Sequence, residues 1–248
     1  MIYQMTVSPD FPPAQIAGWY IFNTWLQRQL DIHIHLELYP NFAEQRAAIE
    51  NDQVDLIFAN PFDASMLVRE KGFTTIAVPS NRADEVIIAS KREGAVQQIE
   101  DLQPGARIAH TDDPDVNMIG MIMLEPAELH RDNTEQQTVD SYPLVAKQLL
   151  QGKADVGFFL DEAFDSLSRL VRGELRELIR SQIFVIRHVM LAGPRLEFLH
   201  EQLTRTLLDM QTLDKGANVL QTMNLPGWEA HSQEDTEFMI DLMDTLVG

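Results

Sequence analysis

The chain has 248 residues, 45% hydrophobic and 23% charged, which suits a globular protein of one large or two smaller domains and argues against disorder. It has no cysteine, so disulfides, Cys-ligated zinc and a thiol nucleophile are excluded. A formal net charge of −19 disfavours nucleic acid and anionic membranes as partners and leans toward cationic ones.

Taken in chain order, short apolar strands alternate with amphipathic segments of helical length. Ile2–Val7 reads as a strand, ended by Ser8-Pro9-Asp10-Phe11-Pro12-Pro13, whose prolines suit a loop leading into a helix start. Ala14–Leu30 carries Ile16, Trp19, Tyr20, Leu26 and Leu30 on or near one helical face. His33–Leu38 alternates as a strand, Phe42–Asn51 is helical, and Val54–Ala59 is a continuous apolar strand. A βαβαβ beginning implies a mostly parallel sheet flanked by helices on both faces.

The same plan returns further on. Ala106–His110 is a strand, Pro114–Leu124 a helix and Gln137–Val139 a short strand. Ser141–Gln151 is a helix with Gly152 at its C-terminal cap, and Ala154–Phe159 is again a strand. Asp55 in Val54-Asp55-Leu56 is echoed one hundred residues later by Asp155 in Ala154-Asp155-Val156, with Phe62-Asp63-Ala64 and Phe164-Asp165-Ser166 following. That period is too long for a solenoid and points to two related lobes. Glu85–Ser90 and Gln182–Ala192 are strand-like and suit the two crossings between them. Pro194–Gly248 reads as helices with a break at Asn224-Leu225-Pro226-Gly227. The expected fold is an α/β two-lobed clamshell, with residues 1–88 plus 189–248 in lobe one and 89–188 in lobe two.

Several segments resemble a known family: Asn41-Phe42-Ala43 before a helix, the Val54-Asp55-Leu56 strand ending at Asn60-Pro61-Phe62, and Ile99-Glu100-Asp101-Leu102 before a strand. Ser141-Tyr142, Gly152-Lys153-Ala154-Asp155 and Leu225-Pro226-Gly227-Trp228 continue the likeness over nearly the whole chain. The order resembles the phosphate/phosphite/phosphonate substrate-binding proteins of ABC transporters, a branch of the type 2 periplasmic-binding-protein fold. The resemblance implies a solute-binding or ligand-sensing protein that closes on a small molecule in an inter-lobe cleft, with an ABC permease or a sensor as partner. Ligand-binding candidates are Ser8, Asp10, Phe11, Phe42, Asn60 and Pro61 in one lobe. In the other they are Thr111, Asp112, Asn117, Tyr142 and Glu162.

The pocket departs from the family pattern. Phe42 stands where the family has Tyr, and Tyr142 where it has His. Asp112-Asp113-Pro114-Asp115-Val116-Asn117-Met118 replaces a small Ser-Thr-Ser-Gly run that offers backbone N–H groups to an anion. Two carboxylates about 4 Å apart repel by roughly 4 kcal/mol at an effective dielectric near 20. An anion beside this run meets the same repulsion, so a neutral or cationic ligand is expected.

Other features have plainer readings. Asp113-Pro114 is a good N-cap and first-turn pair. Asp113, Asp115 and Asn117 alternate as in a calcium loop, but Met118 and Leu124 stand where Gly and Glu are needed. His33 and His35 read as an ordinary strand face, His110 as a polar strand end, and Asp55 and Asp155 as structural. No metal, cofactor or catalytic residue is expected, and no G-x-S-x-G, H-E-x-x-H or Gly-rich phosphate loop is present.

Two further readings stand beside the binding protein: a cytosolic enzyme on the same fold, of menaquinone-pathway or thiamin-pyrimidine type, and a ligand-free docking subunit. No run reaches the roughly 18 apolar residues of a membrane span, so membrane insertion is not expected. Met1 leads directly into the first strand, without a basic head and apolar stretch. The sequence as written is therefore expected to be cytoplasmic, or periplasmic if a leader has been removed.

Overall fold

The computed structural model describes residues 2–247. The chain divides into two compact units, Met1–Ala83 with Val185–Thr245 and Asp84–Phe184 with Leu246–Gly248. In chain order the first contains β1 (Ile2–Val7), α1 (Ile16–Leu30), β2 (His33–Leu36), α2 (Phe42–Glu50), β3 (Leu56–Ala59), α3 (Pro61–Arg69) and β4 (Thr74–Pro79). The second contains β5 (Val86–Lys91), β6 (Arg107–His110), α4 (Pro114–Leu124), β7 (Glu135–Thr138), α5 (Tyr142–Leu150), β8 (Val156–Leu160), α6 (Asp161–Ser166), α7 (Arg169–Gly173) and β9 (Leu175–Arg180). The chain then returns with β10 (Val189–Ala192), α8 (His200–Asp209), α9 (Asp214–Thr222), β11 (Trp228–Glu229) and α10 (Gln233–Val247).

Among the described residues the first sheet runs β11-β4-β10-β3-β1-β2 and the second β9-β5-β8-β6-β7. In the first, β1, β2 and β3 are parallel and β10 is antiparallel to β3 and β4. In the second, β6, β7 and β8 are parallel and β5 is antiparallel to β8 and β9. The two sheets thus share one plan, with β10 and β5 in equivalent places.

Sequence dictates why both faces of the first sheet are covered. Along β3, Leu56 and Phe58 join the cluster under α1, whereas Ile57 and Ala59 join the one under α2 and α3. Strand side chains alternate in direction, so an unbroken apolar run must fill two cores. On one side Trp19, Phe22 and Leu26 of α1 pack with Met5, Phe58, Leu207, Leu220 and Trp228. On the other Ile49, Leu67, Leu191 and Met239 pack together. Gly18 lets α1 close on α9: a Cβ there would lie 2.5 Å from the Thr222 carbonyl oxygen.

The hundred-residue echo has a physical meaning. Asp55 donates its N–H to the Gln4 carbonyl (2.8 Å), and its Oδ2 accepts the Gln4 N–H (2.9 Å). Asp155 does the same with Arg107, at 2.8 and 2.9 Å. The Asp55 carboxylate ties the start of β3 to β1 and the Asp155 carboxylate ties the start of β8 to β6, and each meets an arginine, Arg195 in one case and Arg107 in the other. The Arg107 guanidinium holds the Asp155 carboxyl below the usual carboxylate range. The helices that enter these strands end alike. Gly152 (φ 68°) closes α5 with bonds from its own N–H to Leu149 and from Lys153 to Gln148. Asp52 (φ 55°) closes α2 with the same pair to Ile49 and Ala48. This is the left-handed helix stop for which glycine is best suited.

Gln182–Ala192 is not one strand. Only Val189–Ala192 is extended into the ladder. Before it, the buried Glu85 carboxylate accepts the N–H groups of Ile183 (2.9 Å) and Phe184 (2.8 Å) and the Ser181 hydroxyl. Arg187 N–H turns to the Met239 sulfur. These donors are diverted to side chains, so no ladder can form there. Ser181 in turn accepts the Val86 N–H at 2.8 Å.

Candidate functional site

Parallel strands place their C-terminal ends, and the helix starts that follow, on one edge of a sheet, where α/β folds bind ligands. In the first lobe that edge carries the loop after β1 and the starts of α2 and α3. Ser8 is buried, and its Oγ accepts the Asn60 N–H at 2.8 Å. Asn60 caps α3 by accepting the Asp63 N–H, also at 2.8 Å, and Pro61 occupies the first turn. Phe42 is buried at the start of α2, with the Arg46 guanidinium 5.2 Å from its ring centroid. Phe11 is half-buried against the lobe's own core.

The structure adds Arg46, Asp63 and His188 to this edge, beside the expected Asp10. Arg46 holds Asp63 through two bonds, Nε to Oδ1 at 2.5 Å and Nη2 to Oδ2 at 3.3 Å. Burial still pushes the Asp63 carboxyl above its ordinary range, outweighing the arginine. Asp10 pairs with His188 at 2.9 Å, both buried, and the His188 ring stacks 5.1 Å from Phe58. Asp10 and His188 both bear electrostatically on Asp63. Arg46, Asp63 and His188 were not among the sequence candidates. Asp63 lies within the echo, where it served only as a fold marker, and a histidine just before an apolar strand carries no local signal.

In the second lobe the equivalent edge carries the starts of α4, α5 and α6. Asp113 is the N-cap of α4: its Oδ1 accepts the N–H groups of Asp115 (3.2 Å) and Val116 (3.3 Å). Its Oδ2 accepts the Tyr142 hydroxyl at 2.7 Å, joining α4 to α5. The Thr111 carbonyl receives Asn117 Nδ2 at 2.9 Å and lies 2.6 Å from His110 Nδ1. Thr111, Asn117 and Tyr142 are thus brought together, with Asp113 and His110 among them. Asp112 is exposed. Glu162 is half-buried at the start of α6, and its N–H goes to Asp161 Oδ1 at 2.7 Å.

Several helix-start N–H groups on both edges are already taken. Asn41 takes the Glu44 N–H, and Asn60 takes that of Asp63. Asp113 takes two and Asp161 one. In α5, Pro143 has no N–H, and Leu144 and Val145 donate to the Ser141 carbonyl.

Burial pushes the His110 imidazole below its ordinary range, with Arg131 assisting and the Thr111 carbonyl and Asp112 opposing. A histidine kept neutral on folding contributes stability that is present above its ordinary pKa of about 6.5. That contribution is lost as pH falls through the depressed folded value, because the unfolded chain then binds the extra proton. The melting temperature is therefore expected to fall as pH drops below about 6.5. His110→Gln should flatten the slope relative to the unaltered chain. Parallel slopes for the two would show that His110 does not carry the effect.

Among the described residues no helix is long and apolar enough to cross a membrane. The family model described as "ABC transporter, phosphonate, periplasmic substrate-binding protein" matches residues 5–236. PhnD1 from Prochlorococcus marinus, solved with methylphosphonate, superposes with a TM-score of 0.85 at 11% identity, over 99% of this chain and 98% of its own. A phosphonate-transporter binding protein from Pseudomonas aeruginosa gives 0.79 at 12% identity, over 99% and 85%. The periplasmic aliphatic sulphonate binding protein SsuA from Escherichia coli gives 0.69 at 15%, over 99% and 91%. At these identities the structures establish the α/β two-lobed fold. No curated protein sequence matches the chain. The extent of the family match, on a fold with this sheet order, makes the chain a member of the phosphonate ABC-transporter periplasmic substrate-binding protein family.

Proposed function

We propose that the protein binds a small solute through the strand-end edges of its lobes and presents it to an ABC permease in the periplasm. The family match over residues 5–236 carries this reading. The family is one of transporter binding proteins, which favours binding over the enzymatic alternative. Ser8, Asp10, Phe11, Phe42, Asn60 and Pro61 are the proposed contacts in the first lobe. Thr111, Asp112, Asn117, Tyr142 and Glu162 are those in the second. Supporting the assignment, most of these residues lie at the ends of parallel strands or at the helix starts that follow.

Thermal unfolding against a solute panel tests the reading. The panel holds phosphate, phosphite, methylphosphonate, amino acids and polyamines. A ligand at a hundred times its dissociation constant adds about 2.7 kcal/mol. For a chain of this size that is a rise of roughly 5–11 °C. Phe42→Ala and Tyr142→Phe should each reduce the shift while leaving the unliganded chain folded. An unchanged shift in both would place the binding surface elsewhere.

A further inference from the structure

We infer that the start of α4 in the second lobe receives a cationic N–H donor of the solute, an ammonium or guanidinium group, and does not receive an oxyanion. This rests on the solute-binding reading above and specifies which end of a solute meets this lobe.

Two buried acceptors carry the inference. Asn117 is 9% exposed; its Nδ2 is committed to the Thr111 carbonyl, and its Oδ1 has no partner among the described residues. His110 is 5% exposed, and its Nδ1 faces the same carbonyl. A carbonyl oxygen only accepts, so Nδ1 carries the proton, which leaves a lone pair on Nε2. Nε2 also has no partner among the described residues. Both unmatched atoms therefore belong to side chains anchored on one backbone oxygen, and both require a donor. A buried acceptor left unmatched is costly and rare in folded proteins.

The surroundings select the charge of that donor. Asp112, Asp113 and Asp115 cluster at this helix start, while Asp113 already occupies the N–H groups of Asp115 and Val116. A phosphonate would find no open N–H cradle at this start and would face the carboxylates of Asp112, Asp113 and Asp115, which outnumber Arg131, the cation that bears on His110. An ammonium presents up to three N–H donors and no acceptor, and a guanidinium five. Either matches the two open acceptors and is attracted by the carboxylates.

The experiment is calorimetric titration of the full chain with putrescine, agmatine, L-arginine and methylphosphonate. An amine or guanidine should bind, and methylphosphonate should not. Asn117→Leu, which removes the open acceptor together with the Nδ2 bond to Thr111, should weaken amine binding at least tenfold while the free protein stays folded. If Asn117→Leu does not fold, exposed Asp112→Asn serves instead, with a several-fold loss that shrinks as salt is added. Binding of methylphosphonate alone would overturn the inference and leave the solute-binding reading standing. Amine binding that is indifferent to the variants would overturn the placement at α4. Binding of none of the four, together with no shift across the wider panel, would overturn the solute-binding reading itself.

Discussion

His188→Ala is expected to lower the stability of the chain by about 3–5 kcal/mol, because it leaves the buried Asp10 carboxylate without this partner. Both His188 and Asp10 are buried, 2.9 Å apart. Without the imidazole, the Asp10 carboxylate keeps its desolvation cost and loses this hydrogen-bond partner. The ring also leaves a gap against Phe58, which packs in turn on Trp19 and Trp228. For a chain of this length the melting temperature should fall by roughly 6–20 °C. Converting both partners together, Asp10→Leu with His188→Leu, should recover much of the loss, since replacing a buried pair by apolar groups is often close to neutral. A drop below about 1 kcal/mol for the single variant would mean that the pair behaves like a solvent-screened surface bridge.

Glu85→Ala should be the next most damaging change, costing about 2–4 kcal/mol. One buried carboxylate here serves the Ile183 and Phe184 N–H groups and the Ser181 hydroxyl. Bonds to a charged acceptor contribute about 1.5–3 kcal/mol each. The two amides lie in half-buried or exposed residues, where water recovers part of that. Glu85→Gln keeps one acceptor oxygen and should recover about half. Hydrogen exchange locates the effect: protection should be lost at the Ile183 and Phe184 amides, with that of β1 and β3 little changed. Unchanged exchange at 183 and 184 would show that the carboxylate does not order this segment.

The parallel cores were legible because their physics is local. Ile2–Val7 and Pro114–Leu124 were bounded as found, since prolines at Pro9 and Pro114 mark the ends. Gly152 announced its helix stop, whereas Asp52, which does the same work, gave no such sign. β9 escaped because it is an edge strand in which only Leu175 is buried and Arg176, Glu177 and Arg180 interrupt the apolar pattern. The stretch before β10 was read as strand because the diversion of its amides to Glu85 depends on a residue nearly a hundred positions away. His188 was missed for the same reason. His188 and Asp10 are 178 residues apart, and no period or spacing connects them. The second-lobe cluster was easier to find, since Asp113-Pro114 and Asn117 lie within one turn of a recognisable helix start.

The position of β10 has a consequence for how the chain is made. The first sheet needs β10 between β3 and β4, so its centre stays open until residue 192 has been synthesised. The second sheet uses only residues 86–180, and its last strand ends at Arg180. A ribosome therefore delivers every strand of the second lobe before it delivers the strand that joins β3 to β4 in the first. Domains fold as units during synthesis when their segments are available. The inserted lobe is thus free to fold while β1–β4 wait as an incomplete sheet with unpaired edges, the state in which this protein is most exposed to aggregation.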